Sequence, residues 1–443
     1  MVEHLKKATP LELYNQLIVY EPKPIARFVP ADAKQQRDAF MSGEIHSPHH
    51  DYDRLDKIDF TQSTEKIIEI GEDIRTNPGL NPKYLSVYEQ FVDKYIKRTD
   101  FMRTARDYNK ATGDIEKAEY ATRFMDLNKE LYGEPDETIY RSLLQEKLDA
   151  IAMKQLSPEH GVLRNQLFSM IDYNPGLSEA TDRFRPSSET VQWVQGIAET
   201  LYNGMLSHVP DQESFSVDEI KEVFTTIITQ EFGEAAKGWQ VDIEPAKSIN
   251  VKCTEMRVVI PEGRKDLSWS DLRKMVVHEL GIHMLRSIIG EDTDLTLLKS
   301  GLSEYYDSEE GLGVVMQQAI EGKFKEAGVD HYITAGLAYY DTKDFREIYD
   351  IQWRILALIK SDISDEVIEK SKDTAYEKTM RSLRGTDNLP WFKDLAYYNG
   401  AIGVWKHLEK IKGDDLLFSL VLLGKVDPTN IDHQRVVLET RST

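Results

Sequence analysis

Two histidines and a glutamate stand close together in the segment MVVHELGIHML, residues 275–285. His278 and His283 are five residues apart, and Glu279 directly follows the first histidine. Imidazole nitrogens are good zinc ligands, and a carboxylate beside such a site can act as a general base. The residue types therefore predict hydrolytic metal chemistry, provided that both histidines reach one ion.

The spacing decides whether the two histidines can share an ion. In a regular α-helix, residues four apart point about 40° from each other, whereas residues five apart point about 140° apart. A π-turn with i→i+5 bonding removes this offset, and such turns often occur at functional sites. Gly281 lies between the histidines and lowers the steric cost of a distorted turn. We therefore predict a bulged helix here, and a straight helix through 275–285 would contradict a metal site.

A catalytic zinc site needs a third protein ligand and one open position. The segment 305–322, YYDSEEGLGVVMQQAIEG, has a helical apolar pattern and offers Glu309 and Glu310 near its start. The pattern alone does not choose between these two glutamates. Two alternatives remain for the polar residues of 275–285. They are either buried and satisfied by other protein groups, or part of an exposed helix with ordinary charges.

Strands and a helix are predicted to position these residues. The runs 239–244, 249–253 and 255–261 are rich in valine and isoleucine and are separated by turn residues, so we predict three strands. Ser268 is the predicted N-cap of the histidine-bearing helix, and Gly290 is its predicted stop. The strand at 255–261 has two alternative roles: it pairs with a substrate backbone as an edge strand, or it is interior.

The chain divides into three predicted regions of an α+β fold that is predominantly helical. Prolines punctuate residues 1–54, which we predict to be an irregular N-terminal arm. Apolar residues recur at three- and four-residue steps across 55–183, which predicts a helical region that packs on the core. Residues 184–443 hold the predicted strands and the histidine segment, and we predict that they form the catalytic core.

The composition disfavours several classes of protein. Asp and Glu number 76 against 55 Lys and Arg, and the net charge of −21 argues against a nucleic acid or an anionic membrane as partner. No apolar run approaches the roughly 20 residues that span a bilayer, and the N-terminus has no secretory signal pattern. Cys253 is the single cysteine, so disulfides within the chain are excluded. These features predict a cytoplasmic protein.

Four segments resemble the zincin-like metallopeptidase family that contains the microtubule-associated tyrosine carboxypeptidases and bacterial proteins named after a QEGLA motif. HELGIHMLR resembles the family's H-E-x-x-x-H-x-x-R, and SEEGLG resembles its E-E-G-L-A or Q-E-G-L-A element. MRSLRG with FKDLAYYNG is similar to its arginine-containing turn and K-D-x-x-Y-x-x-G segment, and LYGEPD to its Y-G-x-P element. Gly313 stands where the family has alanine, and we expect this change between small residues to leave the ligands undisturbed.

The resemblance implies a zinc metallopeptidase with a zincin-like core and a small twisted sheet over the bulged metal helix. His278 and His283 match the ligand histidines and Glu279 matches the base. The ligand glutamate precedes Gly-Leu, which makes it Glu310. The resemblance also implies a carboxypeptidase, with an aromatic C-terminal residue as one candidate substrate. The charge of −21 and a C-terminus without a basic extension lead us to expect no microtubule binding, with another peptide or protein C-terminus as substrate.

A carboxypeptidase must hold a free α-carboxylate, and the planar fork of arginine does this best. Arg381 and Arg384, in the loop-prone segment MRSLRGTDN, and the following Lys393 are the candidates. The alternative is that they are solvated loop charges. Tyr397 or Tyr398 is a candidate donor to the tetrahedral oxyanion, although a packed tyrosine is the alternative for each.

Two other functions fit the same residues. One is a zinc endopeptidase or aminopeptidase, which would use the same chemistry on a different part of the substrate. The other is a metal-stabilised regulatory or binding protein without enzymatic activity. Glu279 weighs against the second, because a purely structural metal site has no use for a base at that position.

Overall fold

The computed structural model describes residues 9–77, 79–173, 183–246, 248–293 and 295–440. It is predominantly helical with two small sheets, which confirms the predicted α+β class. None of the described helices is long and apolar enough to cross a membrane.

The described part of residues 9–173 is built from helices. Their bounds are α1 (Pro10–Val19), α2 (Pro24–Arg27), α3 (Ala33–Ser42), α4 (Asp53–Asp56), α5 (Phe60–Thr76), α6 (Pro82–Lys110), α7 (Asp114–Tyr132), α8 (Glu137–Ala152) and α9 (Pro158–Met170). The expectation of an irregular N-terminal arm is therefore wrong for this segment. Pro24 stands in the first turn of α2, where the missing N–H of proline is tolerated. The boundaries at 54 and 183 stay predictions, and the second adjoins residues 174–182, outside the described residues.

The described C-terminal part is also mainly helical. The α-helices are α10 (Ser188–Leu201), α11 (Asn203–Ser207), α12 (Val217–Ile227), α13 (Trp269–Met275), α14 (Leu285–Glu291), α15 (Tyr306–Ile320), α16 (Val329–Tyr339), α17 (Phe345–Leu358), α18 (Asp365–Leu383), α19 (Ala396–Lys410), α20 (Asp415–Val421) and α21 (Ile431–Thr440). The π-turns are Ile228–Phe232 and Val276–Met284, and the 3-10 turns are Gly233–Ala236, Cys253–Glu255, Thr296–Lys299 and Phe392–Leu395.

Five short strands form the two sheets. They are β1 (Ser214–Phe215), β2 (Gln240–Glu244), β3 (Asn250–Lys252), β4 (Arg257–Pro261) and β5 (Leu267–Ser268). β4 is central in the order β2-β4-β3, parallel to β2 and antiparallel to β3, whereas β1 and β5 pair antiparallel. The three predicted strands are confirmed. Because β4 is interior, its role as a substrate-pairing edge strand is excluded.

Residues 269–291 form the helix that carries both histidines, which we term the metal helix. Neighbouring residues define its two ends. The Ser268 side chain accepts a hydrogen bond from the Asp271 backbone N–H, which confirms the predicted N-cap. Gly290 is not the stop, because the helix continues to Glu291. A Cβ on Gly290 would lie 2.3 Å from the Leu298 carbonyl oxygen, so glycine there permits the next turn to pack closely.

The bulge predicted for the metal helix is confirmed. A π-turn of nine residues, Val276–Met284, lies between α13 and α14. A Cβ on Gly281 would lie 2.6 Å from the Tyr202 ring. Glycine is therefore required here for close packing against Tyr202, which the sequence pattern does not reveal.

The apolar residues of the π-turn anchor it in a hydrophobic core. Val277, Leu280 and Ile282 are fully buried and pack with residues of α10, α12, α15, α19 and the sheet. N-terminal helices contribute to three other cores. Tyr140 packs with Tyr332 in the first, α1 packs with the 295–302 segment in the second, and Phe101 packs with Trp391 in the third. Polar groups of the same π-turn are buried with the apolar ones, so they need polar partners.

Candidate metal centre

The π-turn brings the two histidines of the metal helix together. The ring centroids of His278 and His283 lie 4.7 Å apart, and the ring planes are tilted by 79°. A regular helix would turn residues five apart about 140° from each other, and the π-turn removes this offset. The histidine side chains are only 11% and 13% exposed, so their polar atoms face other protein groups.

Helix α15 adds a carboxylate to the histidine pair. Glu310 Oε2 lies 3.9 Å from His278 Nε2. One ligand atom from each of His278, His283 and Glu310 lies within 4.8 Å of the other two. No described lysine or arginine forms a salt bridge with Glu310, so the carboxylate is available. Two imidazoles and a carboxylate are a known donor set of catalytic zinc sites, so these residues fit a zinc ion.

The neighbouring Glu309 faces a different set of groups. The His283 Nδ1–H donates to Glu309 Oε1 at 2.9 Å, and Lys425 Nζ donates to the same oxygen at 2.5 Å. Arg286 donates to the other oxygen of this carboxylate. A carboxylate that accepts a hydrogen bond from the Nδ1–H fixes the tautomer of a ligand histidine and leaves Nε2 free for a metal. Glu309 thus orients the His283 ring, whereas Glu310 forms a group of potential metal ligands with His278 and His283, which we term the donor group.

Charge pairing fixes the ionisation of Glu309. Burial alone would raise its pKa, but the charges of Lys425 and Arg286 and the hydrogen bond from His283 hold it well below its usual range. Arg286 is fully buried, and its Nη2 also donates to the Val426 carbonyl oxygen at 2.7 Å. Two buried cations therefore depend on this one carboxylate.

Glu279 is buried without such partners. It is 7% exposed, and within the described residues it forms neither a salt bridge nor a side-chain hydrogen bond. Burial raises the pKa of Glu279 to about 7, which suits a general base that works near neutral pH. Burial and the charge of His283 lower the pKa of His278 to about 4, so its imidazole is neutral and offers a lone pair.

Glycines allow the elements around the site to approach closely. A Cβ on Gly311 would lie 2.2 Å from the Gly400 carbonyl carbon, so α15 and α19 cross backbone against backbone. A Cβ on Gly313 would lie 2.5 Å from His278 Cε1. Glycine at position 313 therefore leaves the space that the His278 ring occupies.

The predicted carboxylate clamp lies in and around a buried ion-pair network. Arg381 binds Asp394 through Nε at 2.6 Å and Nη2 at 2.8 Å, and its Nη2 also donates to the Tyr397 hydroxyl at 3.2 Å. Lys393 Nζ donates to Asp394 at 2.9 Å. Arg381 lies in the last turn of α18, and the Lys393 and Asp394 side chains are 5% and 6% exposed. These residues are therefore not solvated loop charges.

Arg384 and the two tyrosines have separate environments. Arg384 follows α18, forms no salt bridge with a described residue, and lies over the Trp391 ring at 4.9 Å from the centroid. Burial and the charge of Glu310 raise the pKa of Tyr397, whose hydroxyl accepts a hydrogen bond from Arg381. Tyr398 donates to Glu326 at 3.4 Å and packs against another tyrosine ring, away from the donor group.

Several residues around the site were not given a role by sequence reasoning. Tyr306 precedes Glu310 by one helical turn on α15, and that spacing was a usable signal. Arg286 closes the H-E-x-x-x-H-x-x-R pattern, but its carboxylate partner was not evident. Lys425 is 116 residues from Glu309 and carries no local signal.

Comparison with known proteins identifies the family. No curated protein shows significant sequence similarity to the chain. The model of the microtubule-associated tyrosine carboxypeptidase family matches residues 187–440, more than half of the chain. The chain belongs to this family. Membership of the microtubule-associated tyrosine carboxypeptidase family implies a peptidase with carboxypeptidase-like activity.

The match confirms the family resemblance and defines its extent. It contains the segments 278–286, 308–313, 380–385 and 392–400, which carry the residues described above. The segment 131–136 lies outside the matched range, so its likeness to the microtubule-associated tyrosine carboxypeptidase family stays a prediction.

Proposed function

We propose that this protein is a zinc-dependent carboxypeptidase that removes a residue from the C-terminus of a peptide or protein. In this proposal His278, His283 and Glu310 hold the zinc ion, and Glu279 is the general base. The observation that carries it is the convergence of three ligand atoms within 4.8 Å, next to a buried carboxylate without a described ion pair.

The chain's own residues supply the proton transfers. A bound zinc ion would act as a Lewis acid on the scissile carbonyl and lower the pKa of water. Glu279 accepts a proton from the attacking water and delivers it to the leaving amine, and a pKa of about 7 suits both transfers. Glu309 keeps the Nδ1–H of His283 in place, so that Nε2 is the nitrogen available as a ligand.

The cations around Asp394 are proposed to receive the substrate's C-terminus. Arg384 is the first choice for the α-carboxylate, because its guanidinium forms no described salt bridge. Arg381 and Lys393 add positive charge to the same region, and Tyr397 can donate its hydroxyl proton while it accepts from Arg381. An aromatic C-terminal residue fits the tryptophan and tyrosine rings that lie against these cations.

Matched peptides with free and amidated C-termini test this proposal. A carboxypeptidase releases the last residue from the free acid and loses this activity on amidation, because the clamp has no carboxylate to bind. Equal internal cleavage of both peptides would instead identify an endopeptidase, and release from the other end would identify an aminopeptidase. Zinc binding without release of any residue would support the regulatory alternative.

The cellular context is part of the proposal. We propose a cytoplasmic location, supported by the single cysteine and by the lack of a membrane-spanning helix among the described residues. The net charge of −21 disfavours association with an acidic partner surface, so microtubule binding is not included.

A further inference from the structure

Residues 384–391, which we term the clamp segment, join α18 to the 3-10 turn Phe392–Leu395. Arg384 begins this segment and Trp391 ends it, and the Arg384 guanidinium carbon lies 4.9 Å from the centroid of the Trp391 ring. The Arg384 Nε is buried and has no hydrogen-bond partner among the described residues. An aromatic ring, and not a described carboxylate, therefore orients this cation. The place of the Trp391 ring decides where the guanidinium points.

The backbone around Trp391 is held on both sides. Its φ of −102° and ψ of 115° are extended, so its own N–H points to one side, whereas the carbonyl before it and the N–H after it point to the other. The Trp391 N–H donates to the Ser382 carbonyl oxygen at 2.8 Å. On the other side, Asn128 Nδ2 donates to the Pro390 carbonyl oxygen at 2.8 Å, and Asn128 Oδ1 accepts from the Phe392 N–H at 3.0 Å. The Asn128 amide thus pairs with this backbone as a neighbouring strand would.

Asn128 lies on α7, outside the residues 187–440 that match the family. The residue is fully buried, and both polar atoms of its amide have partners in the clamp segment or directly after it. A buried amide with its donor and acceptor both engaged has one orientation. Tyr132, one helical turn later on α7, packs edge-on against the Trp391 ring with the centroids 5.8 Å apart. Helix α7 therefore fixes both the backbone and the ring of Trp391.

A second asparagine holds the other end of the clamp segment. Asn109 lies in the last turn of α6, and its Nδ2 donates to the Gly385 carbonyl oxygen at 2.9 Å. Gly385 has a φ of 97°, which favours glycine, and a Cβ there would lie 2.7 Å from the Phe28 ring. The turn directly after Arg384 is therefore constrained, and Asn109 ties it to α6.

We propose that Asn128 is a positioning residue for substrate recognition: through Trp391 it holds the Arg384 guanidinium where that group binds the substrate's α-carboxylate. Asn109 supports the same arrangement from the start of the clamp segment. This inference rests on the proposed function, in which Arg384 is the first choice for the α-carboxylate. It gives the N-terminal helices a part in the recognition of the substrate's C-terminus.

The direction of the Arg384 guanidinium matters as much as its charge. A guanidinium binds a carboxylate best through two parallel hydrogen bonds, so the planes of the two groups must align. The Asn128 bonds lie on either side of the residue whose ring sets that plane. The proposed metal ligands lie on the metal helix and α15, which these bonds do not touch. Loss of Asn128 should therefore weaken substrate binding and leave the bound zinc in place.

A double-mutant cycle between positions 128 and 384 tests this inference. Asn128→Leu removes both hydrogen bonds, and Arg384→Gln removes the guanidinium. Each should lower kcat/KM for a free-acid peptide by about 10–10²-fold, as expected when a binding group is displaced by about 1 Å or lost. The loss should lie mainly in KM. The double variant should lose little more than Arg384→Gln alone, because Asn128 acts through that guanidinium.

Val87→Ala is the matched control for stability. Val87 is a buried residue of α6 that packs in the core with α1 and the 295–302 segment, away from the clamp segment. It should lower the free energy of unfolding in urea and leave KM and zinc content unchanged. Asn109→Ala is a milder second variant, since Asn109 is half-buried. It should raise KM by a smaller factor and show the same coupling to Arg384→Gln.

The outcomes separate this inference from the proposed function. A KM within about threefold of the wild type in folded Asn128→Leu, or losses that multiply in the double variant, would overturn the inference alone. If Asn128→Leu does not fold, an unchanged KM in Asn109→Ala would overturn it. Wild-type kinetics in Arg384→Gln would overturn both the inference and the choice of Arg384, while peptide release would still support the carboxypeptidase. No release from a free-acid peptide by the zinc-loaded wild type would overturn the proposed function itself.

Discussion

The carboxylates around His278 and His283 differ in how they are paired with cations. On one side, Glu309 accepts hydrogen bonds from His283, Lys425 and Arg286. On the other side, Glu279 and Glu310 form no described salt bridge with a lysine or arginine. We term these the paired side and the open side. Glu309 and Glu310 are neighbours in the chain, so sequence position alone does not separate a supporting carboxylate from a reactive one.

The Asp394 network repeats the paired arrangement farther from the histidines. Its carboxylate is held by Arg381 and Lys393, and burial is outweighed by these charges, so the pKa of Asp394 lies well below its usual range. A buried carboxylate with two cations is satisfied and keeps its neighbours in place. A buried carboxylate without them is ready to accept a proton or a metal. This difference can be tested residue by residue.

Glu279→Gln should have the largest effect on activity and a small one on stability. Loss of a general base lowers kcat by about 10²–10⁴-fold. Because Glu279 is buried without a described ion pair, its removal leaves no cation uncompensated, and the free energy of unfolding should not fall. Peptide hydrolysis, zinc content and urea unfolding measure these three quantities. Unchanged activity in a Glu279→Gln variant that binds zinc would contradict the proposal that Glu279 is the general base of an enzyme.

Glu309→Gln should have the largest effect on stability. The amide leaves Arg286 and Lys425 buried without a counter-charge, and breaking a buried pair costs about 3–5 kcal/mol. Glu310→Gln is the matched control, because the two residues are adjacent and no described lysine or arginine pairs with Glu310. Urea unfolding of both variants with zinc removed by a chelator measures the difference. An equal loss of unfolding free energy in the two variants would contradict the distinction between the paired and open sides.

Asp394→Asn should lower the free energy of unfolding by less than Glu309→Gln does, about 2–3 kcal/mol at pH 7. The reason is that the Arg381 side chain is 38% exposed, so solvent weakens its pair with Asp394. The folded-state pKa of Asp394 is depressed, so its contribution is fully present above the unfolded pKa and is lost as the pH falls. The advantage of the wild type should therefore shrink below about pH 4. Unfolding at several pH values measures it, and a difference that stays constant in acid would contradict the pairing.

Gly313→Ala should have the smallest effect, a destabilisation of about 1–3 kcal/mol from overpacking against the His278 ring. Displacement of that ring should also weaken zinc binding. Gly403→Ala is the control, since a Cβ there meets no atom within 4 Å on α19, and it should stabilise the helix by up to about 1 kcal/mol. Zinc titration and thermal unfolding of both variants measure the changes in zinc affinity and in stability. Unchanged zinc affinity in Gly313→Ala would show that the ring moves aside freely.

The site could be predicted from the sequence where the constraint is local. The five-residue spacing of His278 and His283 admits one ion only through a bulged turn, and the π-turn follows from helix geometry. The three strands have a clear β-type composition over short runs, and their positions are confirmed. Ser268 was found as an N-cap because capping depends on residues within one turn.

The remaining features depend on distant residues. The pairing of Glu309 with Lys425 joins positions 116 apart, and no local pattern specifies it. The need for glycine at 281 and 313 comes from a tyrosine ring and a histidine ring that the fold places there. The prediction of an irregular N-terminal arm is wrong because proline does not always interrupt a helix: Pro24 lies in the first turn of α2, where its missing N–H is tolerated.

The central claim is that Glu310, and not Glu309, completes the metal centre with His278 and His283. Metal content by mass spectrometry tests it most directly, on the wild type, Glu310→Gln and Glu309→Gln purified under the same conditions. We predict about one zinc per chain in the wild type, its loss in Glu310→Gln, and retention of much of it by folded Glu309→Gln. Full zinc in Glu310→Gln together with its loss from folded Glu309→Gln would contradict the account.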